Sequence, residues 1–374
     1  MRPETQMLMN SINKSFGDGT MLMASALAVP KRFTSGSLAL DIALGGGWPA
    51  GQWVEIIGKE SAGKTAIAYK TVAANQAADP DFAVLWIAAE AYDVDQATAL
   101  GVDNSRVAII PTQEMELAFE LMLEAAESRG VDMIVLDSYP ALIPGEEADK
   151  AMDEFTTAVG ARLMNKFTRK AGKATKRASD GTERPLLGII INQYRDKIGG
   201  FARYGVPQTT PGGHGKDYFF YARLEVARDD FITEKRPGIP DPVKVGQAIR
   251  LRTVKNKSAA PQQTAAVDFY FRGAPYLGFN RGDYDLGKEY FVMGVLFGVI
   301  RKSGAWYYYG EHKWQGKENA IGAIKADNEL RADLAVQVLE AASDPKLVDQ
   351  ILPENIANAA DNGTRRGIGA LSGE

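Results

Sequence analysis

Eight consecutive residues, Gly58-Lys59-Glu60-Ser61-Ala62-Gly63-Lys64-Thr65, satisfy every fixed position of the phosphate-binding pattern G-x-x-x-x-G-K-[ST]. The pattern works only where a strand delivers the first glycine and a helix starts at the last residues. In that setting successive backbone N–H groups converge on phosphate oxygens, and the positive end of the helix dipole faces the same anion. Both flanks are present. Trp53-Val54-Glu55-Ile56-Ile57 reads as a strand, and Ala66 to Ala78 as a helix. The segment from Gly58 to Ala66 is thus expected to hold a nucleoside triphosphate. Glu60, Ser61, Ala62 and Gly63 offer backbone, Lys64 reaches the β- and γ-phosphates, and Thr65 turns its hydroxyl to Mg²⁺.

Further apolar runs follow at Ala83–Ile87, Met133–Leu136 and Leu186–Ile191, with helical segments such as Glu114–Ser128 between them. Near-continuous apolar strands suit a parallel sheet covered on both faces, so the core is expected to be α/β and doubly wound. Such sheets bind ligands at the carboxyl ends of their strands. Gly58, Glu90, Asp137 and Gln193 all fall at strand ends of that kind. Asp137, after Val135-Leu136, suits a Walker B carboxylate that holds Mg²⁺ through water. A carboxylate at Glu90 can orient and deprotonate water attacking the γ-phosphate, and a carboxamide at Gln193 can sense that phosphate.

Composition excludes other chemistries. The 374 residues include no cysteine and two histidines, which removes disulfides, thiolate metal sites and cysteine nucleophiles. With no signal-like apolar core at the N-terminus and no run long enough for a bilayer, a cytoplasmic protein without membrane contact is expected. A net charge of −4 says little about nucleic acid, but its distribution does. Seven basic and no acidic residues fall between Ala161 and Arg177, spaced to share one helical face. That face fits a solvated helix or a polyanion contact. Residues 194–217 form a long connection with six glycines and two prolines. The N-terminus reads as a short helix, Met7–Phe16, then an apolar run, Met21–Val29, suited to docking on a neighbouring copy or on its own core.

With these elements in place, the chain resembles the bacterial RecA-type recombinases over most of its length. The resemblance is carried by Ile12-Asn13-Lys14-Ser15-Phe16-Gly17-Asp18-Gly19, by Ser35 to Leu44, by Val254-Lys255-Asn256-Lys257 with Ala259-Ala260-Pro261, and by Gly304-Ala305-Trp306-Tyr307 with Gln315-Gly316-Lys317. It implies a doubly wound, mostly parallel P-loop ATPase core with a short N-terminal helix-strand arm and a small α+β C-terminal domain. The expected divisions are 1–33 for a polymerisation arm, 34–274 for the core, 275–345 for the C-terminal domain and 346–374 for an extension with a flexible tail. It further implies ATP and Mg²⁺ as cofactors, single-stranded and homologous duplex DNA as partners, and a helical filament of the protein's own copies. Single-strand-binding and mediator proteins are further expected partners.

By position, the resemblance makes Glu90 the water-activating carboxylate and Gln193 the link from γ-phosphate to the DNA-binding segment after it. Lys255 and Lys257 would reach a neighbouring subunit's ATP. The residues alone show only a basic strand, Arg250 to Lys257, suited to an exposed edge. The connections 145–158 and 194–217 become the two DNA loops. In the second, Arg195, Lys197 and Arg203 supply charge, Phe201 and Tyr204 can stack on bases, and Gly212-Gly213 can present N–H groups to phosphates. Asn165, Arg169, Arg195 and His214 stand where the family contacts DNA backbone.

The chain departs from the family pattern at Lys59, Ala66 and Ala88, and it lacks the acidic C-terminal tail, with Thr364-Arg365-Arg366 in that region. The adenine-stacking tyrosine is unmatched, which leaves Tyr92, Asp93 or Phe271 for the base. The same core also suits a hexameric helicase or other DNA motor, or a nucleotide-gated filament scaffold without turnover. The lysine pair and the arm favour the recombinase over the first. Retention of Lys64, Thr65, Glu90, Asp137 and Gln193 favours it over the second.

Overall fold

The computed structural model describes residues 1–26, 31–149, 158–175, 185–196 and 208–344. Helix α1 (Pro3–Phe16) starts on a proline, whose missing N–H costs nothing in a first turn, and ends at Gly17. It buries no residue of its own, and Phe16 is 77% exposed. Asn13 ties the following segment back to it, donating to the Met21 carbonyl (3.1 Å) and accepting from the Met21 N–H (2.8 Å). The described part of the apolar run from Met21 holds a 3₁₀ turn at Ala24–Ala26; the rest, 27–29, lies outside the described residues. Strand β1 (Arg32–Phe33) then pairs antiparallel with β2 (Trp48–Pro49), with α2 (Leu38–Leu44) between them.

The main sheet begins at β3 (Gln52–Gly58), which feeds α3 (Lys64–Ala78). After it come β4 (Val84–Ala88), α4 (Val94–Ala99), β5 (Val107–Ile110), α5 (Met115–Ser128), β6 (Met133–Asp137), α6 (Gly145–Ala148) and α7 (Val159–Thr175). Then follow β7 (Leu187–Gln193), a small ribbon of β8 (Arg195–Asp196) and β9 (Gln208–Thr209), α8 (Gly215–Phe219), β10 (Ala222–Glu234), β11 (Val243–Asn256) and β12 (Thr264–Phe269). The sheet has 8 strands in the order β12-β11-β10-β3-β7-β6-β4-β5. From β10 to β5 neighbours run parallel, whereas β11 is antiparallel to both β10 and β12. Strand β12 covers the basic strand at Arg250 to Arg252, whereas Lys255 and Lys257 extend past that pairing.

Both faces are packed. Val54 and Ile56 meet Ile67, Ala68 and Val72 of α3 on one side. On the other, Trp53 meets Phe119 of α5 and Phe167 of α7, with the Trp53 and Phe167 rings edge to face at 5.2 Å. That two-sided burial is why the strands read as unbroken apolar runs.

Beyond the sheet, α9 (Leu286–Leu296), a three-stranded antiparallel sheet of β13 (Arg301–Ser303), β14 (Trp306–Tyr309) and β15 (His312–Gln315), α10 (Lys317–Ala326) and α11 (Asn328–Ala342) form the C-terminal region. Glu289 of α9 joins it to the core. The carboxylate accepts from the Ser37 hydroxyl and the Ala39 N–H (2.9 Å) at the start of α2. Full burial pushes its pKa up to about 7. Among the described residues no helix is long and apolar enough to cross a membrane.

Gly188 in β7 passes so close to Trp53 that a Cβ there would lie 2.1 Å from the indole. Gly188→Ala should cost about 1–3 kcal/mol through overpacking, seen as a lower denaturant midpoint with unchanged slope. An unchanged midpoint would mean the ring has room to move.

Candidate active site

The parallel strands deliver their carboxyl ends to one edge, and a cleft of about 560 Å³ opens there. Two close approaches shape its floor. A Cβ at Gly58 would lie 2.3 Å from the Val226 carbonyl, and one at Gly63 2.8 Å from the Ile249 side chain. Gly63 also has φ +104°, a left-handed conformation glycine adopts without strain, and it caps α3. Glycine is therefore needed at position 58 for packing, and at position 63 for both packing and backbone shape. Glu60, Ser61, Gly63, Lys64, Thr65 and Ala66 line the cleft, whereas Gly58 lies under it and Ala62 points into the core. Helix α3 starts at Lys64, with its N-terminal N–H groups at the cleft.

Lys64 donates to the Lys59 carbonyl (2.7 Å), which bends its side chain back over the loop. Burial holds its ammonium below the usual lysine range, opposed by Asp137, Glu90 and Glu60. Asp137, at the end of β6, accepts from the Thr65 hydroxyl. Burial pushes the Asp137 carboxyl up to about 6; the Thr65 hydrogen bond opposes the shift, nearby Glu90 adds to it, and Lys64 opposes it. Glu90 follows β4. Its N–H donates to the Asp137 carbonyl (2.9 Å), and its carboxylate accepts from the Ser138 hydroxyl. Gln193 ends β7 and lines the same cleft, its N–H held by the Asn192 side chain at 2.9 Å. Lys64, Thr65, Glu90, Asp137 and Gln193 thus meet in one place. Thr65 and Asp137 form a hard oxygen pair of the kind that Mg²⁺ accepts while keeping waters and phosphate oxygens.

The candidate base contacts separate. Phe271 lines the cleft, edge to face with Phe231 at 6.4 Å. Asp93 does not line it; its carboxylate caps α4 by accepting from the Gln96 N–H (2.8 Å). Tyr92 is turned into the core, donating to Asn104 (2.7 Å) and packing edge-on against Tyr69 and Trp86. Gln96, Arg228, Phe231 and Gln247 line the cleft without having been expected there. They belong to no motif, and only the folding of β10 and β11 beside β3 brings the last three in.

Lys255 and Lys257 are absent from the cleft lining. Lys255 donates to the carbonyls of Asp217 and Tyr218 (3.1 Å to the latter), and Lys257 to that of Tyr218 (3.2 Å). Burial, together with Lys257 and Arg223, brings Lys255 down to about 8.

A second constellation lies where α7 meets α8. Arg162, Lys166, Arg169, Lys170 and Lys173 stand exposed on α7, opposite its buried Met164, Phe167 and Ala171. Asn165 packs so tightly on Gly215 that a Cβ there would come within 2.0 Å of its amide oxygen, and Gly213 lies over Ala161. His214, between them, is exposed, as is Arg195 in the β8–β9 ribbon. Asn165, Arg169, Gly212, Gly213 and His214 are therefore gathered along one helix junction. Lys197, Phe201, Arg203 and Tyr204 lie outside the described residues, as do 150–157 of the first loop.

Comparison with known proteins matches residues 4–274 to the RecA N-terminal domain and residues 289–343 to the RecA C-terminal domain. The chain is 36% identical to Protein RecA of Frankia casuarinae over 333 residues, which spans 88% of this chain and 90% of that one. It is 34% identical to Protein RecA of Chlorobaculum parvum over 341 residues, 90% of this chain and 91% of that one. With Protein RecA of a Nocardioides species it shares 36% identity over 350 residues, 92% of this chain and 93% of the relative.

A carboxyl whose pKa rises on folding weakens the fold as pH climbs from its ordinary value to the raised one. For Asp137 that window runs from 3.8 to about 6. Asp137→Asn should leave stability unchanged below about pH 4 and raise that of the nucleotide-free protein by about 2–3 kcal/mol above pH 6. Denaturant midpoints of both proteins at pH 4 and pH 8 check this; equal midpoints at pH 8 would refute it.

Proposed function

The chain belongs to the RecA family, and from that membership we propose how its residues divide the work of an ATP-dependent recombinase. The protein is a DNA-dependent ATPase and recombinase of DNA recombination and repair; it assembles on single-stranded DNA and exchanges homologous strands. The observation that carries the residue assignment is the meeting of Lys64, Thr65, Glu90, Asp137 and Gln193 in one cleft that lacks Lys255 and Lys257.

The loop N–H groups and Lys64 bind the triphosphate, Lys64 exchanging the Lys59 carbonyl for phosphate oxygens. Mg²⁺, when bound, would neutralise phosphate charge, and Thr65 and Asp137 are the residues to hold it, Asp137 through water. Glu90 orients a water and takes its proton as the oxygen attacks the γ-phosphorus. The bond from that phosphorus to the β-phosphate oxygen breaks, and ADP and phosphate leave. Gln193 reads the γ-phosphate and passes its presence to the segment that begins at Tyr194. Phe271, with Phe231 and Gln96, bounds the base end of the cleft.

Lys255 and Lys257 complete the site of an adjacent subunit. An anion supplied by that neighbour compensates the burial and like charge that bring Lys255 down to about 8. DNA backbone is held along the α7–α8 junction by Asn165, Arg169, His214 and the Gly212-Gly213 N–H groups. Arg195, Lys197, Arg203 and Phe201 of the second loop add charge and a stacking surface. Such contacts read no sequence, which leaves recognition to base pairing.

Lys64→Ala should lower kcat/KM for ATP by about 10²-fold or more; undiminished turnover would remove it from the mechanism. Glu90→Gln and Lys255→Ala should each lack DNA-stimulated hydrolysis alone. Mixed in equal amounts they should regain it at about a quarter of junctions, where an intact Glu90 faces an intact Lys255 across a head-to-tail interface. Phosphate release measured across mixing ratios decides, and a flat line would overturn the intersubunit site.

A further inference from the structure

Lys216 is a charged residue with no solvent exposure, and it lies outside the ATP cleft. Its ammonium sits 3.0 Å from Glu55 Oε1 and 3.0 Å from Asp217 Oδ1, and donates to the Thr210 hydroxyl at 2.6 Å. Glu55 is equally buried, halfway along β3, the strand that ends in the phosphate loop. Its other oxygen accepts from Arg223 Nε at 2.6 Å, and Asn192 donates to Oε1 at 2.7 Å. Arg223 also reaches Thr210 (3.2 Å) and Asp217 (3.1 Å).

A buried ion cluster of this kind adds little stability over apolar packing of equal volume; what it supplies is direction, since each donor has an assigned acceptor. Here those directions converge on the end of the segment 194–217. Thr210 takes two of the donors, and the next residue, Pro211, offers its carbonyl to Asn192 at 3.1 Å. The Asn192 side chain also accepts the N–H of Gln193, so one amide both backs the cleft residue and holds the returning chain. Gly212, at φ +104°, passes over the Lys216 stem so closely that a Cβ would lie 2.9 Å from it. Lys255 meanwhile rests on the carbonyls of Asp217 and Tyr218, both in the helix that carries Lys216.

We propose that the Lys216–Glu55 pair, closed by Arg223 and Asn192, is a positioning element that fixes the returning end of the DNA-binding segment to the phosphate-loop strand. Lys216 touches no ligand. It acts through Thr210 and through the chain path over its stem, so that Gly213 and His214 stand exposed at the α7–α8 junction beside Asn165. The inference rests on the reading of 194–217 as a DNA contact.

The test uses the full chain and a single-stranded oligothymidylate, with ATP hydrolysis followed with and without DNA. Lys216→Met keeps the length and apolar stem and removes the ammonium. Because it leaves Glu55 with less compensation, Lys216→Met/Glu55→Gln is measured beside it to restore charge balance. Both variants should keep DNA-independent hydrolysis close to that of the parent protein and require about tenfold more oligonucleotide for half-maximal stimulation. A half-stimulating concentration equal to the parent's in either variant overturns the proposal. So does equal loss of DNA-independent and DNA-stimulated rates in the charge-balanced variant, which would make the cluster a support of the whole fold. A parent protein indifferent to oligonucleotide would instead overturn the functional reading before any variant is compared.

Discussion

Lys64 and Asp137 face each other across a site from which much of the water is removed, and desolvation opposes the charged form of each. The ammonium is held low and the carboxyl high, although each partner's charge pulls the other the opposite way. Burial therefore outweighs their mutual attraction, as expected where the cost of leaving water exceeds the Coulomb gain of a single pair. A site in this condition is short of charge on both sides. In the proposed function, triphosphate oxygens would supply the anion that Lys64 lacks, and a hydrated divalent cation the positive charge that Asp137 lacks. The carboxyl ends of the parallel strands bring the two groups into this shared, partly desolvated setting.

That account explains which parts could be read before folding. Strands β3, β4, β6 and β7 are covered on both faces, so their residues form continuous apolar runs, and each expected strand is found within a residue or two. The phosphate loop, Asp137, Glu90 and Gln193 were legible because each stands at the end of such a run. The extension of the sheet was harder. In β10 burial alternates and then lapses into four exposed residues, and β11 is strongly charged, so its coverage by β12 leaves no mark in periodicity. The base end of the cleft was least legible. Gln96, Arg228, Phe231 and Gln247 come from three elements, α4, β10 and β11, and only tertiary contact gathers them.

Strand β3 also carries a long-range signal. Glu55 interrupts the run Trp53-Val54-Glu55-Ile56-Ile57, and a carboxylate in a strand buried on both faces must find cations in the interior. Its partners, Lys216 and Arg223, lie well over a hundred residues later, with hydrogen bonds to Arg223 spanning 168 positions. No local pattern connects them, yet the unpaired charge itself announces that such partners exist.

The placement of Lys255 joins the two halves of the molecule. Within its own subunit it has no part in the cleft, and its ammonium is satisfied by carbonyls at the end of α8. The same short helix carries Lys216 and follows directly on Gly212 and Gly213. If a neighbour's phosphates draw Lys255 away, the carbonyls it leaves belong to the helix that roots the DNA-binding segment. Occupancy of one subunit's cleft is then felt at the next subunit's DNA contact through about five residues of chain, a route short enough to need no change in the sheet. Coupling of this kind has a direction along a head-to-tail assembly, because the lysine and the cleft it is proposed to serve are on different subunits. Under the proposed intersubunit site, it gives a physical reason for nucleotide, DNA and self-assembly to depend on one another.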